Sequence, residues 1–85
     1  MELEQLRAFT AVAEEKSYTR AGERLYMSHS TMSRAVSALE QEFGVRLISR
    51  DNRVAGLTPE GEKLYELAKK LLSMADELEE KMRLS

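Results

Sequence analysis

The 85-residue sequence has no cysteine and no tryptophan, and only one proline and one histidine. Without cysteine there is no disulfide framework, no thiolate nucleophile and no cysteine-based zinc site. The lone histidine, His29, lacks companions at ligand spacing, so no metal is expected. The five methionines and three tyrosines read as core or seam residues and mark no cofactor. No stretch approaches the roughly 18 apolar residues that a membrane span needs. Met1-Glu2-Leu3-Glu4 also lacks the basic and apolar regions of a signal peptide. A cytoplasmic chain with no membrane association is the expectation. Glu40 and Glu42, like Glu77, Glu79 and Glu80, read as solvated charge on helices, with no companion nucleophile or glycine-rich phosphate loop. No enzyme is expected.

A net positive charge is also lacking, the formal net charge being −2. Taken as one number, that balance argues against a polyanionic partner. Its distribution along the chain points the other way. Residues 1–15 carry four acids and one base, and residues 57–85 carry seven acids and five bases. Residues 16–56 carry seven bases against four acids, and six of the seven are arginine. Arginine suits bidentate contacts to phosphates and base edges. A positive middle between two acidic flanks points to a polyanion facing one side.

Apolar spacing predicts a mainly α-helical chain. Leu3, Leu6, Phe9 and Ala13 predict a helix over about residues 2–14. Tyr18, Ala21, Gly22 and Leu25 predict a short one over about 19–26, with Ser17 as its cap. Met32, Val36, Leu39 and Phe43 predict a third after Ser28, ending at Gly44. Val45, Leu47 and Ile48, then Val54 and Leu57, flank the turn-forming Asp51-Asn52-Arg53 and predict a small β-hairpin. Thr58-Pro59 then opens a helix reaching about residue 84, roughly 39 Å long. Its apolar residues follow a heptad: Leu64, Leu71 and Leu78 at one seam position, Gly61, Ala68, Ala75 and Met82 at the other. An 85-residue body cannot cover that face, which needs another helix.

The short helix, the turn and the third helix form a candidate helix-turn-helix, with the hairpin as a wing. Ser30, Thr31, Ser33 and Arg34 lie near the start of the third helix, away from its core face. Small hydroxyl residues around one arginine suit a helix that enters the DNA major groove. His29 beside them is a further candidate contact. A solvated polar face explains the periodicity alone equally well. The charge layout favours DNA.

The run from Ser17-Tyr18-Thr19-Arg20-Ala21-Gly22 through Ser33-Arg34, Leu39-Glu40, Phe43-Gly44-Val45 and Leu47-Ile48 to Leu57-Thr58-Pro59-Glu60-Gly61 resembles the N-terminal domain of LysR-type transcriptional regulators. The similarity covers nearly the whole chain in order. It implies a winged helix-turn-helix over residues 1–58 and a linker helix over 59–85. Two linker helices would pack antiparallel into a homodimer on a partly palindromic double-stranded operator. Ser33 and Arg34, with the start of the third helix, would enter the major groove. Arg50 and the wing tip around Arg53 would approach phosphates or the minor groove, and Thr19 would touch the backbone. Dimerisation would use Leu64, Ala68, Leu71, Ala75, Leu78 and Met82.

Departures from the family pattern sit on the reading surface, where His29-Ser30-Thr31 stands in place of the frequent Gln-Pro-Ala. Gly22 and Ile48 replace the usual Ala and Phe, and affect packing more than recognition. The chain lacks the effector-binding domain that normally follows, so it reads as the DNA-binding portion of a longer bacterial regulator. A small-molecule effector would act only through that domain, and the complete protein has room for a higher oligomer. Two alternatives stay open: the winged-helix domain of a metal-oxyanion-responsive regulator, and a helical protein-interaction module that never meets DNA.

Overall fold

Each helix starts where a side-chain oxygen ties off backbone N–H groups that the first turn leaves free. In the computed structural model, which describes residues 1–49 and 56–84, there are four such starts among the described residues. Helix α1 spans Leu3–Glu15, and Gln5 Oε1 accepts from the Glu2 N–H at 3.0 Å. Helix α2 spans Tyr18–Leu25, and Ser17 Oγ accepts from the Arg20 N–H at 3.1 Å. Helix α3 spans His29–Phe43, and Ser28 Oγ accepts from the Thr31 N–H at 3.1 Å. Helix α4 spans Pro59–Arg83, and Thr58 Oγ1 accepts from the Gly61 N–H at 3.0 Å. Left-handed residues end the first three: Lys16, Tyr26 and Gly44, with φ of 54°, 58° and 66°.

Helix α1 is the hub. It packs against α2, α3 and α4, while α2 also packs against α3. Leu6, Phe9 and Val12 of α1 meet Ala21 of α2 and Met32, Val36 and Leu39 of α3 in one buried cluster. Leu47, Ile48, Ala68 and Leu72 close it from the other side. Burying a side chain of Leu or Phe size is worth about 1.5–3 kcal/mol, so this row supplies the main apolar driving force. The turn between α2 and α3 is tight because the Met27 N–H donates to the Gly22 carbonyl at 2.8 Å. A Cβ at Gly22 would press on the Met27 carbonyl oxygen.

Of the expected hairpin, the described residues hold one isolated antiparallel bridge, between Ile48 and Leu57, and no strand. It is flanked by hydrogen bonds from the Ser49 N–H to the Gly56 carbonyl, 2.8 Å, and from the Thr58 N–H to the Leu47 carbonyl, 3.0 Å. The turn at Asp51-Asn52-Arg53, Val54 and the candidate contacts Arg50 and Arg53 lie outside the described residues.

Two expectations need correction. Glu40 is not solvated charge: it is half-buried, and its Oε2 accepts from the backbone N–H groups of Leu47 at 2.8 Å and Ile48 at 3.3 Å. Ala68, placed on the dimer seam by the heptad, is 2% exposed and belongs to the chain's own core. Gly61 is likewise turned inward, and a Cβ there would collide with the Leu47 carbonyl oxygen. Helix α4 thus has two apolar stripes, and its inner one is spent on the body of the domain.

Removing the Glu40 carboxylate strands two N–H groups at the root of the wing. Glu40→Ala should lower stability by about 1–3 kcal/mol, read by denaturant unfolding at fixed protein concentration. The exposed neighbour Glu42→Ala should stay within about 0.5 kcal/mol. Equal losses for the two variants would remove Glu40 from this structural role.

Candidate nucleic-acid interface

The N-terminal turn of α3 projects from the side of the domain opposite its buried row. His29, Ser30, Thr31 and Arg34 are exposed and Ser33 is half-buried, while Met32 and Val36 turn inward. The face follows from the helical period, since residues three and four apart share one side. Ser28 Oγ donates to Thr31 Oγ1 at 2.8 Å and lies 3.3 Å from Ser30 Oγ. Arg34 Nε donates to the Ser30 carbonyl at 3.4 Å, which lays the guanidinium back along the helix. These small hydroxyl side chains leave the backbone of α3 approachable from outside.

The start of α2 is joined to this turn by the Tyr18 and His29 rings, whose centroids lie 5.3 Å apart at 44°. Thr19 is exposed in the first turn of α2, next to Tyr18. The Tyr18–His29 contact thus joins the N-terminal ends of α2 and α3, near Thr19 and Ser30, while Thr31 and Arg34 also border the start of α1 at Glu2 and Glu4. Sequence reasoning passes over three exposed residues: Tyr26, Arg20 and Arg46. Tyr26 is 95% exposed in the left-handed region, directly before the reading helix. The only signal for it was its place in the turn.

Ion pairing decides which cations remain available. Arg24 Nη1 is held by Glu14 at 2.8 Å and Glu15 at 3.4 Å, and Arg7 pairs with Asp76 at 3.0 Å. Among the described residues, no carboxylate pairs with Arg20, Arg34 or Arg46. The same acids stitch α1 to α2 and α4: the Tyr65 hydroxyl donates to Glu14 Oε2 at 2.7 Å. That hydrogen bond, helped by the Arg24 guanidinium and opposed by partial burial, holds the Glu14 carboxyl below its ordinary range. In return, Glu14 raises the Tyr65 phenol and the Arg24 guanidinium. Helix α4 lies along α1 with Leu64 and Ala75 half-buried. Leu71, Leu78 and Met82 are exposed, together with Leu67 and Met74, which widen the apolar stripe beside the two heptad positions. No helix among the described residues is long and apolar enough to cross a membrane.

Comparison with known proteins bears on this arrangement. The model of the bacterial regulatory helix-turn-helix proteins of the lysR family matches residues 3–62. The HTH-type transcriptional regulator BenM of Acinetobacter baylyi is 44% identical over 78 residues, covering 92% of this chain and 26% of BenM. A crystal structure of the BenM DBD in complex with catB site 1 DNA is 41% identical and covers 98% of this chain and 92% of that one, with a TM-score of 0.93. A CbnR DBD–DNA complex is 36% identical and covers 99% of this chain and 97% of that one, with a TM-score of 0.90. The chain spans about a quarter of the length of the first curated relatives it matches.

The Glu14 pair has a pH signature. A carboxyl group whose folded pKa lies below its unfolded value, about 4.3, adds stability above that value and loses it as pH falls through the folded one. Tyr65→Phe should raise the Glu14 pKa toward the ordinary range, followed by NMR titration of its side-chain carboxyl carbon. An unshifted titration would assign the depression to the cations Arg24 and Lys69.

Proposed function

The chain belongs to the LysR family of bacterial helix-turn-helix regulators, and on that premise we propose that it reads a double-stranded DNA operator as a homodimer. The observation that carries this reading is the exposed start of α3, where small hydroxyl residues surround an Arg34 with no carboxylate partner among the described residues. In this role Arg34, Ser30, Thr31 and Ser33 face base edges in the major groove, with His29 at the groove entrance. Thr19 and the α2 N-terminus face the phosphate backbone. Arg50 and Arg53 take phosphate or minor-groove contacts in this role. The exposed stripe of α4 pairs with that of a second copy, so two reading helices meet two half-sites of a partly palindromic operator. Leu64, Leu71, Ala75, Leu78 and Met82 keep their place in this seam, and Leu67 and Met74 join them.

The complete protein, on the same reading, carries an effector-binding domain beyond α4, assembles further through it, and works in the cytoplasm as a transcription regulator without catalysis. The positive middle of the sequence and the acidic α1 and α4 support a one-sided approach to DNA. With acids outnumbering bases on both flanks of the positive middle, binding depends on dimerisation and on correct bases more than on bulk charge.

Arg34→Ala should cost about 1–3 kcal/mol on the cognate site and flatten sequence preference in a competition assay. Undiminished discrimination would sink the assignment of Arg34. Arg53→Ala should instead weaken all sequences alike and reduce the salt slope by about one unit. Leu71→Asp places a charge in the seam. It should lower the mass seen by sedimentation and weaken operator binding together, and a mutant that stays dimeric would contradict the seam.

A further inference from the structure

Helix α4 meets the other helices along one side only. Among the described residues, α1 is the sole helix it packs against, and α1 in turn carries α3, the proposed reading helix. The direction of α4 relative to α3 therefore passes through the α1–α4 contact. That contact has a narrow apolar centre, where Ala68 and Leu72, one turn apart, are buried. One polar tie lies on either side of it. Toward the start of α4, the Tyr65 hydroxyl donates to Glu14 Oε2 at 2.7 Å. Toward its end, Arg7 Nη2 donates to Asp76 Oδ1 at 3.0 Å. The ties stand roughly 16 Å apart along α4 and roughly 10 Å apart along α1. Between them the two helices do not close on each other. A cleft of about 310 Å³ opens there, lined by Thr10 of α1, by Lys69 and Ser73 of α4 and by residues of both ties. Every residue from Asp76 to Leu84 is exposed. Among the described residues, Asp76 is thus the last point at which the domain holds the helix.

We infer that Arg7 and Asp76 are positioning residues for operator spacing: with the Glu14–Tyr65 bond they brace α4 against α1 at two points, and so fix the separation of half-sites that the dimer accepts. This rests on the dimeric operator reading above and names the residues that set its spacing. Two rods in contact at one place still pivot about it, whereas a second contact well away from the first fixes their angle. The apolar centre alone is such a pivot, since Ala68 offers a methyl group and Leu72 one side chain. The overhang amplifies any pivoting. From Leu72 to Met82 the helix runs roughly 15 Å, so a tilt of about 10° at Leu72 shifts Met82 by roughly 3 Å. That shift is close to the roughly 3.4 Å step of one base pair. Leu78 and Met82 of the proposed seam both lie on this overhang. Folding stability hardly reflects the role of the tie. The side chains of Arg7 and Asp76 are 37% and 64% exposed, and an ion pair so placed adds little to folding. Its worth lies in direction, because the guanidinium meets Asp76 only when α4 lies at this angle on α1. Arg7 is also the one base among residues 1–15, and it is spent on α4.

The probe is the duplex that this chain selects from a randomised pool, compared with a single half-site and with duplexes whose half-site separation is one or two base pairs longer or shorter. Asp76→Ala should keep the helicity, the sedimentation mass and the single half-site affinity of the parent chain. Its preference for the selected separation should fall about two- to fivefold. Arg7→Asp combined with Asp76→Arg rebuilds the tie with its charges exchanged and should restore the preference. Asp76→Ala with the parent's full preference would overturn the brace and leave the dimer standing. So would a loss that falls equally on the single half-site or accompanies a lower mass, and so would failure of the exchanged pair to restore what Asp76→Ala loses. A parent chain with no preferred separation would remove the dimeric reading and this inference with it.

Discussion

A short relay of hydrogen bonds holds α3, the proposed reading helix, and α4, the proposed dimer helix, in one geometry. Glu40, near the end of α3, accepts from the N–H groups of Leu47 and Ile48. The Leu47 carbonyl in turn accepts from the Thr58 N–H and its hydroxyl, and Thr58 also donates to the Arg46 carbonyl. Thr58 caps α4 through Gly61, the residue whose lack of a side chain lets α4 settle against Leu47. A dimer that reads two half-sites must keep the spacing between its recognition helices, and every link between α3 and α4 in one chain contributes to that spacing. The relay is short, backbone-directed and partly buried, so it yields less than exposed side-chain pairs would.

Surface charge divides by task in the same way. The acids of α1 are engaged in stitching: Glu14 and Glu15 hold Arg24, and Glu14 also takes the Tyr65 hydroxyl of α4. Neutralising Arg24 internally leaves Arg20, Arg34 and Arg46 without carboxylate partners among the described residues. Net charge for the chain averages over both groups and describes neither.

Much of this was legible in the sequence because capping chemistry is local. Ser17, Ser28 and Thr58 cap the helices expected of them, and Gly44 ends α3 in the left-handed region as a glycine there should. The end of α2 was less visible. Tyr26 lies just past it at positive φ, a conformation an aromatic residue does not advertise. Glu40 was misread because its partners lie seven and eight residues away, beyond any helical period. The heptad found the apolar residues of α4 but merged two stripes. Periodicity tells which residues share a face, whereas only packing tells that Gly61, Ala68 and Leu72 turn toward α1 and the wing root, leaving Leu67 and Met74 outside.

Dimeric, sequence-selective recognition of DNA is the property on which the reading surface and the α4 stripe converge. Selection by this chain from a pool of randomised duplexes tests it in one measurement. Two inverted half-sites at a fixed separation, set by the proposed α4-mediated dimer, should be enriched. Recovery of an unenriched pool, or of single half-sites with no preferred spacing, would contradict it.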